Sequence, residues 1–401
     1  MPSHVPPKTK NLRVVVFIQE NKTPDFYFPS LAAWGAEIHD GGALLSAPPD
    51  HDQPHDRSAW VHFRMGDYPA QAVQLDNDRV IPYYSWLAKN FTFCDHHFGL
   101  GTNSTPGHML AIGGQTPTLK NPPFGPGGPH WDIPNIFMHA QQAGLSWAAF
   151  PDVNGFPVKF YTELTTADSR RHIHSASADF ISLATSGKLP QLSYVWAPDG
   201  ADEHPPFGKP NPQYIANGQH AVWSRIDAVV KGGGWADTVF ILTWDDWGGY
   251  ADHVVTPDIE RVPDALHPSG FQAIGGSRIP LLMFGGGVRQ GIDNRWHSHA
   301  SIPKTVIDLF GLPAFGVPRV DEAPTLAGHY SSTLKRPTPP PLGSRFAQPA
   351  PPSPRPKPVP PPAWQGPLGQ AMPALVANGG KTLPPPNDGV VHPKPPPPPQ
   401  G

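Results

Sequence analysis

The chain has one cysteine, Cys94, among 401 residues, which excludes an intrachain disulfide and any CxxC zinc site. It has no excess of basic charge: 29 lysines and arginines face 32 acids, a net of −3 with the 20 histidines counted as neutral. A nucleic acid or an anionic membrane surface calls for a basic footprint, so neither partner is expected. Below about pH 6 the histidines would begin to turn the surface positive. No apolar run approaches the ~20 residues that cross a bilayer, so no transmembrane segment is expected. The start MPSHVPPKTKNLRVVVFI lacks a signal-peptide layout, because Lys10 and Arg13 precede only a five-residue apolar run. That leaves the compartment open. The HExxH, GxGxxG and GxSxG patterns are missing as well, which removes the zincin, dinucleotide-binding and α/β-hydrolase templates. GGKT at 379–382 fails as a P-loop, since Leu375 stands where the first glycine is required.

Proline is abundant instead, with 57 residues crowded towards the end. From Lys335 the text runs RPTPPPLGSRFAQPAPPSPRPKPVPPP and closes on HPKPPPPPQG. Such text has too few apolar side chains to offset ordering entropy, and it favours extended polyproline II. Residues 331–401 are therefore expected to form a disordered, proline-rich tail, and residues 10–330 a single large domain. The PxxP text of the tail suits SH3- or WW-like partners, although proline linkers of this kind commonly act as spacers.

Five short β-branched or aromatic runs stand out: Val14–Ile18, Ser146–Phe150, Leu192–Trp196, Val239–Leu242 and Ile279–Phe284. They are too short for helices and show little polar alternation, which suits strands buried on both faces. Between them His220–Lys231 has helical spacing with Gly232–Gly234 as its stop. The stretch SIPKTVIDLFGLP reads as a second helix, with Ser301 as N-cap and Gly311 as terminator. Alternation of this kind predicts an α/β fold, with helices on both faces of a mostly parallel central sheet.

The residues just after these runs carry the chemistry. Val14–Ile18 leads into Gln19-Glu20-Asn21, Leu192–Trp196 into APDGADEHPP, and Val239–Leu242 into Thr243-Trp244-Asp245-Asp246. Open α/β sheets bind ligands beyond the carboxyl ends of their strands, so three such ends read as one assembled site. Adjacent Asp245 and Asp246 repel each other, and burying both costs several kcal/mol unless a cation or a shared proton compensates. Glu20 and Asn21 add oxygen donors suited to a hard divalent cation; the plainer reading is a strand ending in a turn. Ser104 lies in a loop of Gly, Thr, Asn and Pro, where it either exposes a hydroxyl or caps the helix starting near Pro106. His51, His55, His204, His297 and His299 crowd the same loops; their HxxxH and HxH spacings are weak zinc signals.

Taken in chain order, these stretches resemble a bacterial phosphoesterase family that contains phosphocholine-type phospholipases C and acid phosphatases, related in fold to alkaline phosphatases and sulfatases. The resemblance covers Leu12 to about Leu312. The family's ENRSFDHYF reads here as ENKTPDFYF, and HDQPHD matches its histidine segment. T/S-x-P-N-R reads as Ser104-Thr105-Pro106-Gly107-His108. LPQLSYVWAP with DEHP, LTWDDWGGYADHV, and GGSRIPLLMFG with HSHASI match its later segments. Three departures stand out: NKTPD for NRSFD, Gly107-His108 for Asn-Arg, and Ser298 where Asp is usual before His299.

The resemblance implies an alkaline-phosphatase-like three-layer α/β/α sandwich over 10–330, acting as a phosphoesterase catalytic domain. Glu20, Asn21, Asp245 and Asp246 would hold one divalent metal ion, with calcium, magnesium or manganese favoured by oxygen ligands and zinc or iron left open by nearby histidines. Ser104 would be the nucleophile that forms a phosphoseryl intermediate, with Thr105 as fallback if the loop register differs by one. His204, His253 and His299 would act around the phosphate and leaving group, and His55, Thr105 and His108 would bind substrate. The implied substrate is a phosphate ester, either a phospholipid head group reached by peripheral lipid contact or a phosphomonoester. Twelve tryptophans offer cation–π partners for choline, although residues of this size usually belong to the core. Two alternatives remain: a sulfatase-like hydrolase, weakened because Cys94 is followed by Asp95-His96, and a non-catalytic interaction module that docks through the proline-rich tail. Members of the resembled family are often exported.

Overall fold

Val14, Val15, Val16, Phe17 and Ile18 are all buried in strand β1 (Arg13–Gln19), as a two-sided apolar run requires. The computed structural model describes residues 11–343 except 40, 69, 123–127, 152–154, 175–177, 207–210, 263–270 and 273. The proline-rich text from 344 onward, with its expected disorder and docking motifs, lies outside the described residues.

Six further strands join β1: β2 (Thr92–Cys94), β3 (Trp147–Phe150), β4 (Leu192–Trp196), β5 (Thr238–Trp244), β6 (Leu281–Gly285) and β7 (Gly291–Asp293). Their order across the sheet is β7-β2-β6-β5-β1-β4-β3. Val16 pairs with Tyr194 on one side and Ile241 on the other. Neighbours run parallel except where β6 lies antiparallel to both β5 and β2, so the sheet is mostly parallel. A five-residue apolar run carries no sign of its own direction, which is why β6 could not be distinguished from the rest in the sequence.

Helices α1 (Arg57–Met65), α2 (Pro82–Asn90), α3 (Ser104–Gly113), α4 (Tyr214–Lys231) and α5 (Ser301–Phe310) are the longer ones that bear on the site. Tyr194 and Phe17 occupy adjacent register positions and so point to opposite faces. The Tyr194 hydroxyl donates to Ala111 O of α3 at 3.1 Å, while the Phe17 ring packs against Phe180 of the helix Ala178–Thr185. Helices therefore cover both faces, giving three layers. α4 starts at Tyr214, earlier than the expected His220, and stops at Gly232 as expected. α5 ends on left-handed Gly311 (φ 62°). Its N-cap is Ala300; Ser301 is the first helical residue, and its Oγ accepts from Ser298 N at 3.1 Å.

α3 positions the site. All ten of its residues are buried, the mark of a helix enclosed by protein. A Cβ on Gly107 would lie 2.5 Å from the Asp245 carbonyl oxygen, so glycine lets α3 rest directly on the turn after β5. Packing continues past Tyr330. Arg336 N donates to Gly286 O at 2.8 Å, Trp235 Nε1 donates to Arg336 O at 3.0 Å, and Leu342 packs on the core. Among the described residues, no helix is long and apolar enough to cross a membrane.

Candidate active site

β5, β1 and β4 are neighbours, so Asp245-Asp246, Glu20-Asn21 and the loop carrying His204 leave the same edge of the sheet together. Backbone bonds stitch these exits: Asp245 N donates to Gln19 O (3.0 Å), Lys22 N to Asp246 O (2.9 Å) and Glu20 N to Asp202 O (2.8 Å). Asn21 adopts φ 68°, a left-handed conformation that asparagine tolerates better than most residues. This twist brings its backbone N–H to Asp245 Oδ1 at 2.9 Å.

Ser104, at the first turn of α3, closes the site from above. Asn103 is the N-cap, so Ser104 lies inside the helix and its hydroxyl is released from capping. Its Oγ donates to Glu20 Oε2 at 3.1 Å. One turn further, His108 Nε2 lies 3.0 Å from Glu20 Oε1 and 3.7 Å from Asp245 Oδ2. Gly248 N donates to Asp246 Oδ1 at 2.8 Å. Asp245 Oδ2 and Asp246 Oδ2 are buried without a hydrogen-bond partner.

Burial and mutual repulsion raise all three acids. Burial, then the charge of Asp202, pushes Glu20 up to about 7. Burial, then Glu20, pushes Asp245 up to about 6, and burial with Asp245 drives Asp246 well above the carboxylate range. Lys22, buried beneath them and lowered to about 8 chiefly by burial, spends its ammonium on Glu20 O (2.9 Å) and Glu203 O (2.7 Å).

The Asn21 amide shows what would compensate the acids. One terminal atom lies 3.1 Å from Asp246 Oδ1 and 3.2 Å from Asp245 Oδ1; the other lies 3.1 Å from His204 Nε2 and 3.4 Å from His55 Nε2. Turning the nitrogen to the acids would satisfy them, but would require His204 Nε2 to donate to the amide oxygen. His204 Nδ1 lies 2.6 Å from Pro205 O and His55 Nδ1 lies 2.7 Å from Gln53 O, so both rings carry their proton on Nδ1. Burial lowers the pKa of His204, which disfavours a second proton. The nitrogen therefore belongs with the imidazoles and the oxygen with the carboxylates. Oxygens of Asn21, Asp245 and Asp246 then converge without a donor between them, and that set, with Glu20, fits a hard divalent cation.

Of the residues singled out in the sequence, Glu20, Asn21, Asp245, Asp246, Ser104, His108, His55 and His204 come together here. Thr105 is adjacent but turned away: its N donates to Asn121 Oδ1 (2.8 Å), and its buried hydroxyl has no partner. His299 lies beneath the site, fully buried, with Nε2 on Trp244 O at 2.9 Å, and burial pushes its pKa down to about 4. His253 belongs to another cluster, where its Nδ1 meets Asp25 Oδ2 at 2.7 Å beside Arg278. His51 is exposed and paired with Asp50, while His297 binds Asp293; neither zinc-like spacing gathers its two histidines on one ligand. The sequence reading missed three supporting groups. Trp196 Nε1 donates to His108 Nδ1 at 3.1 Å. Asp52 brings a carboxylate to His55 at 3.4 Å. Glu203 accepts from Tyr27 (2.6 Å), Tyr84 (2.7 Å) and Trp244 (2.9 Å); the acid next to His204 in DEHP was its one visible sign.

Fold and site together define an α/β protein with a hydroxyl and a cluster of acids at the carboxyl ends of its central strands. The chain belongs to the Phosphoesterase family, whose model matches residues 12–313. It is 26% identical over 290 residues to non-specific phospholipase C4 of Arabidopsis thaliana, covering 65% of this chain and 50% of that protein. It is 23% identical over 369 residues to the non-hemolytic phospholipase C of Burkholderia pseudomallei, covering 67% and 51%. The chain thus spans about half the length of these curated relatives. Among solved structures, a protein of the alkaline phosphatase superfamily from Vibrio parahaemolyticus aligns with a TM-score of 0.40 at 15% identity, over 76% of this chain and 68% of that one.

Proposed function

We propose that the chain is a metal-dependent phosphoric ester hydrolase of the phospholipase C or acid phosphatase type, with Ser104 as nucleophile. The observation that carries this reading is the convergence of Asn21, Asp245, Asp246 and Glu20 oxygens beside the Ser104 hydroxyl. Glu20, Asn21, Asp245 and Asp246 would hold the cation. When bound, it supplies charge neutralisation and lowers the pKa of a neighbouring hydroxyl.

The chain's own groups set the remaining geometry. The Ser104 proton points at Glu20 Oε2, which frees an oxygen lone pair for phosphorus. The positive end of the α3 dipole favours the phosphoryl charge. Attack forms a phosphoseryl ester and breaks the bond to the leaving alcohol, and water then hydrolyses that ester and restores the hydroxyl. His204 Nε2 meets the Asn21 amide at the terminal atom opposite the one that faces the acids, whereas His299 is sealed beneath them. His204 is therefore the group assigned to the leaving oxygen, acting as the imidazolium because its neutral ring carries its proton on Nδ1. Its lowered pKa makes that contribution grow as pH falls. The names of the plant and bacterial relatives favour a phospholipid phosphodiester as substrate.

The experiment compares hydrolysis of p-nitrophenyl phosphate and p-nitrophenylphosphorylcholine by the full chain, with divalent cation or with chelator. Cation-dependent release of p-nitrophenol that Ser104→Ala abolishes is expected. Full activity in chelator, or in Asp245→Asn, would remove the metal from the reading.

A further inference from the structure

We infer that His108 is a positioning residue that holds Glu20, and is not itself a ligand of the cation; the inference rests on reading the acids as a cation site. Glu20, His108 and Asp245 each bring a donor atom within 4.8 Å of the others, which by distance alone is a mixed imidazole–carboxylate site of the kind zinc prefers. Hydrogen-bond direction argues otherwise. An indole N–H only donates, and Trp196 Nε1 is 3.1 Å from His108 Nδ1. Nδ1 therefore keeps its lone pair, and the proton of the neutral ring sits on Nε2. A protonated ring nitrogen cannot coordinate a metal; at 3.0 Å it donates to Glu20 Oε1.

The ring has little freedom to reverse. His108 is fully buried at the second turn of α3, with Phe156 edge-on at 4.9 Å. Its donor role also divides the two Glu20 oxygens: Oε1 is held by His108, and Oε2 faces Ser104 Oγ. His108 thereby fixes the carboxylate rotamer that meets the hydroxyl. The ligand set that remains is oxygen throughout, which selects magnesium, manganese or calcium over zinc.

The test uses the full chain, nitrogen-15 NMR of its histidines, and calorimetric titration with Mg²⁺ or Ca²⁺. The expected spectrum assigns His108 to the Nε2–H tautomer and keeps that proton when Mg²⁺ or Ca²⁺ saturates the site. Glutamine places an N–H near the position of Nε2, so His108→Gln should bind the ion within about threefold of wild type. His108→Ala should bind about 10- to 100-fold more weakly, the usual loss when a group supporting a ligand is removed. Trp196→Phe should mix the two tautomers and weaken binding by less than His108→Ala. Loss of the Nε2 proton on metal addition, or equal weakening in the glutamine and alanine variants, would overturn the inference while leaving the cation site standing. Unweakened binding by His108→Ala would do the same. Wild-type protein that binds no divalent ion would remove both. The wild-type spectrum decides even if His108→Ala fails to fold.

Discussion

The Ser104 hydroxyl donates to Glu20 Oε2 at 3.1 Å across 84 positions of sequence, tying the first turn of α3 to the end of β1. If that hydroxyl attacks phosphorus, Ser104→Ala should lower kcat by at least about 10³-fold. Losing one partly exposed hydrogen bond costs only ~1 kcal/mol, so thermal unfolding should barely move. Thr105→Val is the companion. The Thr105 hydroxyl is buried without a partner, so replacing it with a methyl should leave kcat within about twofold and stability unchanged or slightly higher. A Thr105→Val enzyme as inactive as Ser104→Ala would transfer the nucleophile to Thr105.

Asp245 illustrates a conflict between stability and function. It is buried, pushed up to about 6 by burial and then by Glu20, and its Oδ2 has no partner. Asp245→Asn removes one of the repelling charges, while the amide oxygen still accepts from Asn21 N. In chelator at pH 8 the variant should therefore unfold at a higher temperature than wild type, by on the order of 1–3 kcal/mol, although cation binding and turnover are lost. Melting curves with and without chelator check both halves; a destabilised metal-free variant would contradict the repulsion argument.

Much of this arrangement was legible in the sequence because strand ends are. Leu192–Trp196, apolar but for Ser193, matches β4 to the residue. Val239–Leu242 fell short of β5 because Thr238 and Thr243 interrupt the apolar run while staying in the ladder, and Trp244 lies beyond the second of them. β2 and β7, reading TFC and GID, carry no pattern to find. The acids at 20, 245 and 246 could be read because each lies just past a buried run. The partners of the histidines could not. Whether His253 serves the acids at Glu20 or those at Asp25 is decided by a contact 228 positions away. The indole donor of Trp196 is hidden inside what reads only as a hydrophobic strand.

Where the folded part stops is open to direct measurement. Arg336 reaches back to Gly286 and to the Trp235 indole, and Leu342 packs on the core. Ending the chain at Gly343 should leave the melting temperature and turnover of the full chain intact. Ending it at Tyr330 removes these contacts and should cost roughly 1–3 kcal/mol, judged from one partly buried leucine and a few hydrogen bonds. Equal stability of the two truncations would place the boundary at Tyr330.

The raised acids make stability and metal binding depend on pH in opposite senses. Glu20 moves from 4.5 to about 7 and Asp245 from 3.8 to about 6, chiefly by burial. Between roughly pH 4 and 7 these two acids therefore hold more protons in the folded, metal-free chain than in the unfolded one, and their contribution to stability falls as pH rises, by a few kcal/mol in all. Asp25 does not oppose this: against burial, Arg278 and His253 hold it at about 2, so its contribution is already complete by pH 5. His97 and His299, both lowered by burial, do run the other way below pH 6.5, and Asp245→Asn leaves them in place. His96 does add a fall above pH 6.5, because against burial its bonds to Asp95 and Glu37 hold it at about 9. Asp245→Asn keeps the His96 contribution and loses part of the other, so the difference between wild type and variant isolates the acids. A cation must displace the protons these acids hold, so its affinity should climb as pH rises through 6 to 7. In chelator the melting-temperature advantage of Asp245→Asn over wild type should grow from pH 5 to pH 7.5, and saturating Mg²⁺ or Mn²⁺ should stabilise wild type more at pH 7.5 than at pH 5. Calorimetry in buffers of different ionisation enthalpy should register proton release on binding near pH 6. A cation increment that is equal at both pH values would mean that these carboxylates are not what the ion binds.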